Sequence, residues 1–303
     1  MAGGRTYVRF DWLMIFMYIA LVIMGWINIY SASLSDTAKG FWDFDQIYAR
    51  QFMFIGFSIL LIIFLLAIES KFYEKFASVF YIISLISLVG LFVFGKNISG
   101  ATSWYAFGSF SLQPSEFAKA ATALALAKYV SDIQTNMQEL KHQIAAFTII
   151  ALPAVLIVPQ PDPGSALIYA AFVFTLYREG LHGVYLLLGL FAVMLFVSTL
   201  AFGAVWVAIA ITVIGGIIFF RNRKKRPSII KYILIAFSVS YIFNNVFEQR
   251  HRDRFNIVLG KEVDARGIGY NTHQSEIAIA NGGWLGKGWT QGTQTKGNFV
   301  PEQ

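Results

Sequence analysis

Apolar runs recur along this chain at the length a helix needs to cross a bilayer, roughly 17–22 residues against a ~30 Å hydrocarbon core. They lie at about 12–30, 51–68, 77–95, 115–130, 144–158, 165–178, 184–202, 204–220 and 229–247. The expected fold class is an all-α polytopic membrane protein, with about nine transmembrane helices followed by a large extracytoplasmic loop. Composition agrees. Of 303 residues, 56% are hydrophobic and 14% charged, where soluble chains carry about 25% charged residues. The 29 phenylalanines suit lipid-facing helices with interfacial aromatic belts. Residues 1–247 form the expected transmembrane helical domain, and 248–303 an extracytoplasmic catalytic loop of the same domain, expected to be cut short before its last helices. Ser31-Ala32-Ser33 has the look of a signal-peptidase site. The run before it is longer than a signal h-region and further spans follow at once, so it reads as a retained first helix.

The positions of the basic residues set an orientation. With a cytoplasmic N-terminus, the inner segments hold Arg5, Arg9, Lys71, Lys75, Lys128, Lys141, Arg178 and the run from Arg221 to Lys231. The short outer loops hold only Lys39, Arg50 and Lys96, as the positive-inside rule requires. An odd number of crossings then puts residues 248–303 outside. The net charge of +7 is therefore membrane topology, and no nucleic-acid partner is expected. With no cysteine there is neither a disulfide framework nor a thiol metal site. The four histidines are scattered without paired-ligand spacing, which argues against zinc. No ionisable residue falls near the middle of a span, which argues against a proton-coupled transporter with a midplane site.

The polar residues that remain gather at the outer ends. Pro114 suits the first turn of a fourth helix, Glu116 complements its dipole, and Glu116 and Lys119 share a face and can pair. That pair is either a plain helix-start ion pair or a cation set beside an anionic head group. Asp162, between two prolines, either caps the next helix near Gly164 and Ser165 or belongs to a site. In the final segment Arg250, Arg252 and Arg254 alternate with His251 and Asp253, and arginine suits phosphate recognition. Glu262 and Asp264 follow. Asn271 with Gln274 resembles a capping box that opens a helix over Thr272–Ala280, ended by Gly282-Gly283. The Gly267-Ile268-Gly269 turn follows no βαβ unit and is no dinucleotide fingerprint.

Several blocks occur in one order: Gln113-Pro-Ser-Glu-Phe-Ala-Lys119, Gln160-Pro-Asp-Pro-Gly164, Arg252-Asp-Arg-Phe255, Asp264-Ala-Arg-Gly-Ile-Gly-Tyr270 and Gly282-Gly-Trp-Leu-Gly-Lys-Gly-Trp289. Together they resemble the SEDS family (shape, elongation, division and sporulation). Gly292-Thr-Gln294 and Phe299-Val-Pro-Glu302 are similar to its RodA branch rather than the FtsW division branch. The resemblance implies a peptidoglycan glycosyltransferase of the bacterial cytoplasmic membrane that polymerises lipid II during elongation and shape maintenance. It implies Asp264 as the catalytic residue and Glu116, Lys119, Asp162 and Arg254 as functional positions. It also implies a class B penicillin-binding protein as partner. Relative to the common layout the chain carries an extra helical pair near 184–220, and the family pattern continues past Gln303.

The reaction expected is attack of an acceptor sugar hydroxyl on the anomeric carbon of a lipid-linked donor. Asp264 serves as general base, and Lys119, Arg252 and Arg254 stabilise the diphosphate leaving group, with a divalent cation such as Mg2+ or Mn2+ as a candidate helper. Asp264 otherwise holds that metal or orients the acceptor. The competing classes are a lipid II flippase and a non-catalytic scaffold for the penicillin-binding protein.

Overall fold

Bilayer-length helices dominate the structure, a computed structural model that describes residues 11–33, 41–98, 101–108, 110–221, 237–241, 244–245, 249–260, 269–284 and 286–296. The chain divides into two compact units, one made of Met1–Ala67 with Phe243–Gln303 and the other of Ile68–Ile242.

In the first unit, α1 (Trp12–Ser33) and α2 (Ile47–Ala67) pack together. Asp11 caps α1 by accepting the Met14 N–H at 3.1 Å. Trp26 Nε1 donates to the Tyr48 carbonyl oxygen at 3.1 Å, and its ring meets Phe52 at 5.6 Å. Such contacts matter more than apolar area here, because hydrocarbon tails solvate leucine as well as a neighbouring helix does. Among its other described residues are α10 (Gln249–Val258), α11 (Tyr270–Gly282) and the short α12 (Thr293–Lys296).

The second unit starts with α3 (Ser70–Phe94). The segment after it, expected as an aromatic loop in an all-α chain, is instead a small antiparallel meander of β1 (Lys96–Ile98), β2 (Ala101–Phe107) and β3 (Phe110–Leu112). Aromatic residues favour a pleated, half-buried surface, and Gly108 takes the positive φ of +63° that the tight turn closing Phe107 onto Phe110 demands. Then come α4 (Pro114–Ser131) and α5 (Leu140–Ile157). The run expected at 165–178 is built from α6 (Pro163–Ile168), a 3-10 turn over Tyr169–Ala171, and α7 (Phe172–Arg178), with right-handed helical backbone throughout. α8 (Val184–Phe202) and α9 (Ala204–Arg221) meet at Gly203, whose φ is +86°, and pack on each other through Leu195, Val207 and Ile211.

Among the described residues five helices are long and apolar enough to cross a membrane: α1, α2, α3, α5 and α8, at 22, 21, 25, 18 and 19 residues. The run at 229–247 lies mostly outside the described residues.

The core of the second unit joins α3, α4, α5 and the α6–α7 stretch through Leu88, Leu91, Leu126, Ile150, Ile157 and Tyr169. Side chains also pin its backbone. Tyr81 donates to the Ile149 carbonyl oxygen at 2.9 Å, Tyr105 to that of Ser87 at 2.7 Å, and Gln160 Nε2 to that of Leu88 at 3.0 Å. Burial pushes the Tyr105 phenol above its usual pKa, which keeps it protonated as a donor. A Cβ on Gly90 would run into that hydroxyl, so the glycine makes room for the meander to sit against α3.

Candidate functional site

The candidate residues fall into two groups, one in each unit. In the second unit, Pro114 occupies the first turn of α4 as expected, and Gln113 is the N-cap residue with an extended backbone. Its carbonyl oxygen accepts the Glu116 N–H at 3.2 Å. One turn along, Lys119 Nζ lies 2.8 Å from Glu116 Oε1 and 2.7 Å from Oε2. The expected i,i+3 pair therefore forms, with the ammonium between both carboxylate oxygens. The Glu116 side chain is 56% exposed and that of Lys119 20%, so the cation is the more sheltered partner. One of its N–H bonds donates to Oε1.

Asp162 is the N-cap of α6. Its Oδ1 accepts the Ser165 N–H at 3.1 Å and its Oδ2 the Ser165 hydroxyl at 2.7 Å, so the capping expected from sequence is realised. A third bond was not foreseen: Gln113 Nε2 donates to Asp162 Oδ2 at 3.0 Å. A single glutamine thus links the residues that begin α4 and α6. The sequence held a signal for it, since Gln113 opens the same block as Glu116 and Lys119, but no local pattern pairs positions 49 residues apart. Ser115, in the same first turn of α4, is fully buried, and among the described residues its hydroxyl has no hydrogen-bond partner.

In the first unit, Arg252 and Arg254 lie on α10. The Arg252 guanidinium donates to Gln249 Oε1 at 2.7 Å and to the Asn244 carbonyl oxygen. Gln249 Nε2 in turn donates at 2.7 Å to Asp253 Oδ1, and Asp253 is buried. Gln249 is a further residue that sequence reasoning passed over. The Arg254 side chain, Glu262 and Asp264 lie outside the described residues.

The expected capping box does not form. α11 begins at Tyr270 with Gly269 as its N-cap, and no side chain caps it. With the start moved upstream, Asn271 falls inside the helix, and its carbonyl oxygen accepts the Ser275 hydroxyl at 2.8 Å. The C-terminal stop is as expected, with Gly283 at φ +58°.

Among the described residues no three His, Asp or Glu side chains converge on a common point. The Glu116 carboxylate is occupied by Lys119 and that of Asp162 by three neutral donors. Glu262 and Asp264 lie outside the residues so described.

Helices of spanning length, with charged side chains collected near helix ends, define a polytopic helical membrane protein. A family model described as cell cycle protein, covering FtsW, RodA and SpoVE, matches residues 11–206 and 172–303, and the chain belongs to that family. Peptidoglycan glycosyltransferase MrdB of Escherichia coli K12 is 29% identical over 296 residues, which cover 98% of this chain and 66% of that protein. Peptidoglycan glycosyltransferase RodA of Treponema pallidum is 26% identical over 330 residues, covering 97% of this chain and 74% of its own. The chain thus spans about two thirds of the length of MrdB. Among solved structures, one on the structural coordination of polymerization and crosslinking by a peptidoglycan synthase complex aligns with a TM-score of 0.62 at 26% identity, over 92% of this chain and 67% of that one. The Thermus thermophilus rod shape determining protein RodA shares the fold, with a TM-score of 0.54 at 22% identity over 97% and 96% of the two chains.

Proposed function

We propose that this protein is a peptidoglycan glycosyltransferase that polymerises lipid II into glycan strands during cell elongation and shape maintenance. The observation that carries the reading is the match, over 98% of the chain, to a protein named as such an enzyme. In the reaction, the acceptor hydroxyl oxygen bonds to the donor's anomeric carbon as the bond from that carbon to the diphosphate oxygen breaks. The hydroxyl proton passes to Asp264 as general base, a role worth roughly 10²–10⁴-fold. The departing undecaprenyl pyrophosphate gathers negative charge, and Lys119, Arg252 and Arg254 are the cations assigned to it. Glu116 holds Lys119 from both carboxylate oxygens, which supports a fixed rather than a wandering ammonium. Asp162 keeps acceptor capacity on Oδ1, which receives one donor where a carboxylate oxygen takes about two; a substrate hydroxyl or amide fits it.

The reading includes nine crossings of the cytoplasmic membrane, an inner N-terminus, and an outer catalytic loop over 248–303. It also includes a class B penicillin-binding protein as partner, supported by likeness to a synthase structure that couples polymerization with crosslinking. The test is glycan polymer from the complete purified protein supplied with lipid II in detergent. Wild-type protein gives polymer and Asp264→Ala at least about 10²-fold less. Transfer of lipid II across vesicles with no polymer identifies a flippase, and partner binding without turnover a scaffold; either result sinks the proposal. Polymer retained by Asp264→Ala removes that residue from the chemistry.

A further inference from the structure

Gln113 is bonded at both ends. Its backbone carbonyl oxygen accepts the Glu116 N–H at 3.2 Å, and its side-chain amide donates to Asp162 Oδ2 at 3.0 Å. Through Glu116 the first contact reaches Lys119, which is held at 2.7 and 2.8 Å. Through Asp162 the second reaches the N-terminus of α6, where the same carboxylate takes the Ser165 N–H and hydroxyl. One residue therefore sets the spacing between a cation–carboxylate pair on α4 and a carboxylate at the start of α6.

The choice of residue at 113 is chemically specific. The group facing Asp162 Oδ2 has to donate a hydrogen bond. A glutamate there would bring a second acceptor to within about 3 Å, and a shorter side chain would fall short. As N-cap of α4, Gln113 makes no side-chain cap bond to its own helix. Ser, Thr, Asp or Asn would cap better, so helix propensity alone does not account for the residue. Its amide is spent on the link to Asp162.

We infer that Gln113 is a positioning residue that holds Asp162 in register with the Glu116–Lys119 pair for glycosyl transfer. The inference rests on the reaction proposed above. Orientation errors of an ångström cost large factors in rate when charged groups must meet a developing charge.

The test compares Gln113→Ala and Gln113→Glu in the complete purified protein, with lipid II polymerisation and melting temperature both read from about pH 8 to about pH 6. Every rate is divided by the wild-type rate at the same pH. Gln113→Ala is expected to lose about tenfold in turnover at every pH, the weight of one hydrogen bond to a charged group. Gln113→Glu sets two carboxylates against each other and is at least as impaired near pH 8. As the pH falls, one of them takes up a proton and again donates, so its relative rate climbs toward wild type while that of Gln113→Ala stays flat. Melting temperatures of both variants are expected to stay within about 4 °C of wild type. Wild-type turnover in Gln113→Ala, or a flat relative rate for Gln113→Glu, overturns the inference while leaving the reaction intact. A rate loss matched by a larger fall in melting temperature, with no pH recovery, reduces Gln113 to a structural tether. Absence of polymer from the wild type itself is a different failure, since it removes the reaction on which the inference rests.

Discussion

The Tyr81 hydroxyl donates at 2.9 Å to the carbonyl oxygen of Ile149, the oxygen whose helical donor would be the N–H of residue 153. That position is a proline, buried inside α5. Proline has no N–H and leaves the i−4 carbonyl orphaned, and in an apolar surrounding an orphan is costly. α3 thus repairs a defect in α5, which ties the two helices together by chemistry as well as by packing. Tyr81→Phe is expected to cost about 1 kcal/mol of unfolding free energy. In a Pro153→Ala background the helix supplies its own donor, and the same substitution should cost under about 0.5 kcal/mol. Unfolding in detergent micelles measures all four corners of the cycle. Equal costs in both backgrounds would show that the two residues are uncoupled.

Much of this was legible in the chain because one physical length governs it. Helices of 18 to 25 residues follow from bilayer thickness, so α1, α2, α3, α5 and α8 could be placed by counting apolar residues. The start of α4 and the cap at Asp162 were legible too, since Pro114 and Asp162 act on residues within one turn of themselves. What escaped depends on partners distant in sequence. The short strands at 96–112 exist only by pairing with one another. Gln113 finds Asp162 across 49 residues, and Tyr81 finds Ile149 across 68. The capping box at Asn271 failed for a local reason: α11 starts at Tyr270, which puts Asn271 past the cap position.

A second long-range contact concerns the glycine-rich segment of the first unit. Thr290 has φ +58°, an unusual conformation for a β-branched residue, and donates its N–H to Ser31 Oγ on α1 at 2.9 Å. The neighbouring Trp289 ring lies 5.8 Å from that of Tyr30. Strain of this kind costs about 1–3 kcal/mol and persists where contacts enforce it. Thr290→Gly relieves it and should slow backbone hydrogen exchange over residues 286–296, whereas Ser31→Ala should speed it about fivefold, equivalent to losing about 1 kcal/mol. Faster exchange in Thr290→Gly would mean that the threonine side chain, and not the Ser31 bond, secures the turn.

For the Glu116–Lys119 pair the expected outcomes separate stability from activity. Glu116 is more than half exposed, and exposed helix pairs at this spacing contribute only about 0.3–0.5 kcal/mol. Glu116→Gln should therefore change unfolding free energy by less than about 0.5 kcal/mol. If both carboxylate oxygens serve to aim the Lys119 ammonium at a departing diphosphate, polymerisation should fall about tenfold or more. Lys119→Met, which keeps length and removes the charge, should fall further. Full polymerisation by Glu116→Gln would return the pair to an ordinary ion pair at a helix start.

Asp162 combines two duties that one pair of substitutions can part. Asparagine is as good an N-cap as aspartate, and its carbonyl oxygen can still accept the Ser165 N–H. Its amide nitrogen then replaces Oδ2 and meets the Gln113 amide donor to donor, so Asp162→Asn should keep the cap and lose the Gln113 link. Alanine offers no acceptor, frees Gln113 as well as Ser165, and should cost about 1 kcal/mol or more. Activity is expected to divide differently. If the ionised carboxylate takes part in the site, Asp162→Asn and Asp162→Ala should both lose polymerisation, by about tenfold or more, although the second is the more destabilised. If Asp162 does no more than cap α6, Asp162→Asn should polymerise lipid II at the wild-type rate. Melting temperature and initial rate, taken on the same preparations, decide between the two.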